Sequence, residues 1–91
     1  MNNEEKIIAL KEVVIFLTMR LYKVNDDEPS DTLKENLKQI RKVEENTGVK
    51  SVILGLQKYL NKEIDLSRIK YIQNQCSNVI KWLENQNQKI R

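Results

Sequence analysis

The sequence predicts an all-α protein, an antiparallel four-helix bundle in which the helices alternate up-down-up-down. Apolar residues recur every three or four positions along most of the chain, which is the spacing of one helix face. The composition is 40% hydrophobic and 32% charged, with two Gly and one Pro, which is typical of helices and not of turn-rich sheets. Because 91 residues are too few to build two cores, we expect a single helical domain over residues 1–91.

The first helix is predicted over residues 3–24. Its main stripe alternates steps of three and four residues and contains Ile7, Leu10, Val14, Leu17, Leu21 and Val24. A second line beside it contains Ile8, Ile15 and Tyr22, so the helix is apolar around much of its circumference. We therefore expect it to contact at least two other helices. A polar linker over residues 25–30 follows, in which Pro29 disfavours helical backbone at the residue before it.

The second helix is predicted over residues 31–46 and the third over residues 49–62. Any residue from Ser30 to Thr32 can cap the second helix, and Thr32 with Glu35 has the spacing of a capping box. Gly48 is predicted to end the second helix in a left-handed conformation. Gly55 lies within the third helix, where we expect a neighbouring helix to approach closely.

The fourth helix is predicted over residues 67–86, with a polar tail over residues 87–91 that we expect to fray. Its apolar stripe contains Ile69, Ile72, Cys76, Val79 and Leu83. Because Cys76 lies within this stripe, we interpret it as a small core residue and not as a reactive thiol. A single cysteine forms no internal disulfide, so the fold depends on packing and a reducing compartment is expected.

The residue types argue against enzymatic chemistry. The chain has no His and one Cys, which removes the usual zinc ligand sets and the imidazole base of catalytic triads. It also contains no Gly-rich phosphate loop, so we expect no enzyme activity, cofactor or metal. The polar, acidic start lacks the pattern of a signal peptide, and the longest apolar run spans only residues 13–17. We therefore expect neither secretion nor a membrane span.

Charge is distributed unevenly between the two halves of the chain. Residues 1–45 contain 8 Lys and Arg against 10 Asp and Glu, whereas residues 46–91 contain 8 against 3. A basic second half favours an acidic partner, a phosphate backbone or an anionic membrane surface, although charge that only maintains solubility fits equally well. The segment after Gly48 also resembles a helix-turn-helix element, but apolar residues crowd the start of the third helix and core packing explains them better.

The segment from Ser30 to Leu60, SDTLKENLKQIRKVEENTGVKSVILGLQKYL, resembles the bacteriocin immunity proteins of Gram-positive bacteria. This family, which includes the enterocin A immunity proteins, protects producers of pediocin-like peptides. The similar features are Ser30-Asp31 before a Leu-rich second helix, a Lys/Glu-rich close over residues 42–45, and the pair Tyr59-Leu60 at the end of an apolar third helix. They cover about a third of the chain well.

The resemblance implies a non-enzymatic cytoplasmic protein, in part peripheral at the inner face of the membrane, that acts at the toxin-engaged mannose phosphotransferase permease. It also implies that the second half of the chain decides which bacteriocin is countered. The candidate partner-binding residues are seven of the eight cations and two aromatic residues of that half: Lys58, Lys62, Arg68, Lys70, Tyr71, Lys81, Trp82, Lys89 and Arg91. The alternative is a small DNA-binding, antitoxin-like or phage regulatory module, which a dimer with an exposed apolar face on the first helix would favour.

Overall fold

Four α-helices account for most of the chain in the computed structural model, which describes residues 1–22, 28–61 and 66–89, and side chains of residues 1–22, 28–61 and 67–86. The helices are α1 (Asn3–Leu21), α2 (Asp31–Val43), α3 (Thr47–Leu60) and α4 (Ile69–Lys89), and a 3-10 turn (Leu66–Arg68) precedes α4. The described residues contain no strand. The predicted all-α class is confirmed.

The helices form a closed ring of neighbours. α1 packs most extensively against α4 and also contacts α2, while α3 lies against α2 and α4. The Gln73 amide donates to the Thr18 hydroxyl at 2.7 Å, and the Cys76 thiol donates to the Leu10 carbonyl at 3.4 Å. Residue numbers therefore rise along α4 as they fall along α1, so these helices are antiparallel. The four-helix bundle is confirmed, as is the prediction that the first helix contacts two others.

Apolar residues of all four helices meet in one core. Its fully buried side chains are Leu10, Val13, Leu17, Leu37, Ile40, Ile53, Leu56, Ile69, Cys76 and Leu83. Each fully buried aliphatic side chain contributes roughly 1.5–3 kcal/mol to folding, so these positions dominate the stability of the bundle. Cys76 is 0% exposed, which confirms its prediction as a core residue.

α2 is shorter than predicted, because Glu44 leaves the helix to reach an ion pair. The helix ends at Val43, and Glu44 has extended backbone with ψ 134°. The buried Glu44 carboxylate accepts from the Lys6 ammonium at 2.8 Å and from the Asn46 N–H at 3.0 Å. Burial alone would raise the pKa of Glu44, but the Lys6 hydrogen bond, the backbone N–H groups and the Lys6 charge together lower it from 4.5.

Both glycines have roles other than those predicted. Asn46 caps α3, and its side-chain oxygen accepts from the Val49 N–H at 3.1 Å. Gly48 therefore lies in the first turn of α3, and the prediction that it ends the second helix is wrong. Gly55 is exposed, and a Cβ atom there meets no other atom within 4 Å. The predicted close approach of another helix at Gly55 is also wrong.

The remaining helix ends differ from the predictions by a few residues. A capping box between Asn2 and Glu5 starts α1, which ends at Leu21 and not at residue 24; residues 23–27 lie outside the described part. Ser30 is the cap of α2, and its hydroxyl accepts from the Leu33 N–H at 3.1 Å. α4 continues to Lys89, three residues beyond the predicted end, because a formed helix gains one backbone bond per added residue without needing an apolar face.

Candidate functional site

A groove of about 270 Å³ opens between the start of α3 and the second half of α4. Its apolar walls are Val49 and Val52 on α3 and Val79 and Trp82 on α4, and Gly48 widens its entrance. The amide side chains of Asn46, Gln75 and Asn78 complete the lining. The groove lies in the second half of the chain, where the resemblance places specificity.

Local sequence explains why the groove stays open. On α3 the core-facing residues are Val49 and Ile53, and Val52 is half-buried on the flank that faces α4. Gly48 has no side chain with which to fill the space beside it. On α4, Trp82 is only half-buried, so part of its indole lies at the groove surface.

The lining is uncharged, which determines what the groove can bind. All eight lining residues are neutral, so the groove offers no counter-charge to a phosphate or carboxylate. Its amide groups both donate and accept hydrogen bonds, as peptide backbone requires. Ligand pockets for drug-sized molecules begin at about 300 Å³, so a groove of 270 Å³ suits one or two side chains of a peptide.

The two predicted aromatic residues lie on the same flank of α4. Tyr71 and Trp82 are eleven positions apart, which is about three helical turns, and Gln75 and Asn78 lie between them on the same line. Tyr71 is 55% exposed, and its hydroxyl accepts from the Gln75 amide at 2.7 Å. Tyr71 therefore extends the groove surface by a hydrogen bond to one of its lining residues.

The predicted cations do not converge on the groove. Lys70 and Lys81 are exposed and share another flank of α4, about 16 Å apart along the helix. Arg68 is exposed in the 3-10 turn, and Lys58 is exposed on α3, facing away from the core. Lys62 and Arg91 lie outside the described residues, as does the side chain of Lys89.

Of the eight lining residues, sequence reasoning placed only Trp82 in the site and missed the other seven: Asn46, Gly48, Val49, Val52, Gln75, Asn78 and Val79. A signal for two of them was present, because Tyr71, Gln75, Asn78 and Trp82 recur at steps of four, three and four. No comparable signal marks Asn46, since its position beside α4 follows from how the helices pack.

The Cys76 thiol has no chemical role that the structure supports. It is completely buried, and burial raises its pKa from 9.0 to about 12. The thiolate form that reacts with electrophiles and binds metals is therefore suppressed at neutral pH. Within the described part of the chain, acidic, His and Cys side chains form no group of three that fits a metal ion.

A second surface feature lies on α1. Along residues 1–22 the exposed large apolar side chains are Met1, which precedes the N-cap of α1, Ile8, Ile15 and the C-cap Tyr22, and each is seven residues from the next. Ile8 and Ile15 are both 59% exposed and Tyr22 is 72% exposed. We call these four residues the α1 stripe. Neighbouring members are about 10 Å apart along the helix axis and share one side of α1, so a single partner helix can contact all of them.

Among the described residues, every helix is too short or too polar to cross a lipid bilayer. Comparison of the chain with protein-family models, with curated proteins and with solved structures gives no match.

Proposed function

We propose that the protein is a bacteriocin immunity protein that protects its cell from a pediocin-like antimicrobial peptide. In this proposal it acts from the cytoplasm, in part at the inner face of the membrane, on the mannose phosphotransferase permease that the toxin has engaged. It binds and does not catalyse. The observation that carries the proposal is the uncharged, aromatic-edged groove between α3 and α4, in the half of the chain to which the resemblance assigns specificity.

The groove and the cations have separate roles in this proposal. The apolar walls and Trp82 bind one or two side chains of a permease or toxin segment, and the amides of Gln75 and Asn78 bind its backbone. Exposed Lys70 and Lys81 attract an acidic segment or anionic headgroups, which increases the association rate more than the affinity. In this proposal the groove determines specificity, and the cations increase the association rate with any acidic partner.

The direct test is to express the chain in a sensitive strain and challenge it with a panel of pediocin-like peptides. We expect tolerance to one or a few peptides and ordinary killing by the rest. Unchanged killing across the whole panel contradicts the proposal, provided that the chain accumulates in the cells.

Two matched variants test the groove. Asn78→Lys places a charge at the groove, whereas Asn74→Lys makes the same change one turn away, at an exposed residue that does not line it. Both sites are exposed, so neither change disturbs the core. We expect Asn78→Lys to abolish tolerance and Asn74→Lys to retain it. Equal tolerance in both strains would remove the groove from the mechanism.

The alternative candidate is a helical interaction module of the DNA-binding, antitoxin-like or phage regulatory kind. The exposed α1 stripe is the observation that favours it. A gel shift that persists at moderate salt would support DNA binding, because nonspecific phosphate contacts weaken steeply as salt rises. Tolerance in the peptide panel without a gel shift would favour the immunity proposal.

A further inference from the structure

We propose that the α1 stripe is a self-association surface, on which a second copy of this chain packs α1 against α1 in parallel. The stripe shares no residue with the groove, so self-association does not require the immunity function, and it agrees with the alternative of an interaction module. Its members are Met1, Ile8, Ile15 and Tyr22, and all are 41% exposed or more.

The spacing of the stripe identifies the geometry of its partner. Residues repeated every seven positions drift by only about 20° per repeat around a straight helix, and a slight supercoil between two helices with the same repeat keeps such residues facing each other. A second copy supplies such a helix. With no stagger between the copies, each of the four residues meets its own equivalent, so the whole length of the stripe is covered. A partner without this repeat would cover only part of it.

Charges beside the stripe favour a parallel pair. Lys11 and Glu12 are exposed, and helical geometry places them on opposite edges of the stripe, about 60° and 40° from Ile8. A two-fold axis parallel to the helices sets each edge against the opposite edge of the other copy. Lys11 of each copy then faces Glu12 of the other, which gives two ion pairs.

The other arrangements are less favourable electrostatically. In an antiparallel pair like edges meet, so the edge that carries Glu5 and Glu12 faces itself. In the parallel pair, like charges meet only where Glu4 faces Glu5 at the N-terminal end. An anionic membrane is also a poor partner, because three of the four ionisable residues that the structure describes beside the stripe are Glu.

The size of the stripe predicts a weak dimer. α1 with its cap residues is about 33 Å long, and one row of side chains covers less than the roughly 800 Å² that each partner contributes to a stable dimer. We therefore expect dissociation constants of about 10 µM to 1 mM, and a monomer at high dilution.

Sedimentation equilibrium over that concentration range tests the proposal. We expect the apparent mass to rise with concentration from 10.8 kDa towards twice that value. Ile15→Glu should weaken association about a hundredfold, because it removes two apolar side chains per dimer and sets two carboxylates against each other. Val43→Glu is the matched control, since Val43 is 42% exposed on α2 and should leave association unchanged. A mass of 10.8 kDa at every concentration, or association that survives Ile15→Glu, overturns the proposal.

Charge exchange tests the parallel arrangement with variants that alter only exposed residues. Lys11→Glu and Glu12→Lys should each weaken association about tenfold, because each replaces two ion pairs with two like-charge contacts. An equimolar mixture of these variants, and the double variant that carries both changes, should associate like the wild type. Failure of both to recover association overturns the parallel pair.

A vesicle flotation assay distinguishes self-association through the stripe from binding of the stripe to a lipid surface. Wild-type protein and Ile15→Glu are floated with vesicles of anionic phospholipid. We expect no difference in flotation between them. Flotation of the wild type that Ile15→Glu abolishes, together with a monomeric mass in solution, would assign the stripe to the membrane and overturn self-association.

Discussion

The buried ion pair between Lys6 and Glu44 gives the sharpest test of how the bundle is held together. It joins the start of α1 to the end of α2. The Glu44 carboxylate also accepts from the backbone N–H of Asn46, which caps α3. The perturbation is Lys6→Met, which keeps the apolar stem of the side chain and removes the charge. Lys11→Met is the control, because Lys11 is exposed on the same helix.

The burial of the pair determines how much unfolding free energy Lys6→Met should remove. Both side chains are less than 10% exposed, so the substitution leaves a buried carboxylate with the backbone N–H groups of Glu45 and Asn46 in place of its counter-charge. Breaking a buried pair in this way costs roughly 3–5 kcal/mol. A chain of 91 residues has a total stability of about 5–14 kcal/mol, so Lys6→Met removes a large part of it. We expect Lys11→Met to change the free energy of unfolding by less than about 0.5 kcal/mol.

Replacing both partners should cost less than the two single changes combined. Glu44→Gln retains an acceptor for the Asn46 N–H and leaves Lys6 without a carboxylate. Combined with Lys6→Met it leaves no buried charge, so the double variant avoids the largest penalty. We expect a coupling energy of about 1–3 kcal/mol in the double-mutant cycle.

The pH dependence of the stability difference between the wild type and Lys6→Met tests the ion pair independently. In the wild type the pKa of Glu44 is lowered, so its contribution is present above pH 4.5 and is lost as the pH falls through the folded-state pKa. Lys6→Met removes the Lys6 hydrogen bond and the Lys6 charge, so the pKa of Glu44 lies higher than in the wild type and acidification destabilises the variant less. The stability gap between the two proteins should therefore narrow from pH 7 to pH 4.

Urea unfolding followed by far-ultraviolet circular dichroism measures these differences at both pH values. A loss below about 1 kcal/mol at pH 7 would mean that Lys6 and Glu44 are solvated and uncoupled. A loss of the same size at pH 7 and pH 4 would show that packing, and not charge, accounts for the effect.

Substitutions at the two glycines and at Asn46, and thiol labelling of Cys76, have clear expected outcomes. Gly55→Ala should stabilise the protein by about 0.5–1 kcal/mol in thermal melts, because the added Cβ meets no atom within 4 Å. Gly48→Ala should stabilise it less, because the added Cβ lies 3.2 Å from the side-chain oxygen of Asn46. Asn46→Ala should lower the free energy of unfolding by about 1 kcal/mol, and no loss would mean that water replaces the cap. Cys76, with its pKa raised to about 12, should react with a thiol reagent at pH 8 only as fast as the protein unfolds, and rapid labelling without denaturant would contradict its burial.

The fold was predictable because it depends on repeated local patterns. The apolar stripes of α1 and α4 define which faces are buried, and short connections require antiparallel neighbours. The end of α2 was not predictable in this way. Glu44 leaves the helix for Lys6, 38 residues earlier in the chain, and this pairing exists only after the helices have packed.

The candidate site was less predictable than the fold. Charge and aromatic residues identified Tyr71 and Trp82, but the groove also requires Val52 from another helix and the open space beside Gly48. A gap between two helices depends on how closely they pack, which a stripe of apolar residues does not specify. The cations were chosen by charge alone, and helical spacing places Lys70 and Lys81 on a different flank from the aromatic residues.

The positions of the two surfaces have a functional consequence. α1 and α3 both contact α2 and α4, so α1 and α3 lie on opposite sides of the bundle. A second copy packed on the α1 stripe would therefore leave the groove between α3 and α4 open. A parallel dimer would therefore present two open grooves to one target, and binding at one groove would raise the effective concentration at the other. Ile15→Glu should keep the affinity of a single groove for a short peptide but weaken binding to a target with two sites. Equal loss against both ligands would mean that the stripe itself contacts the target.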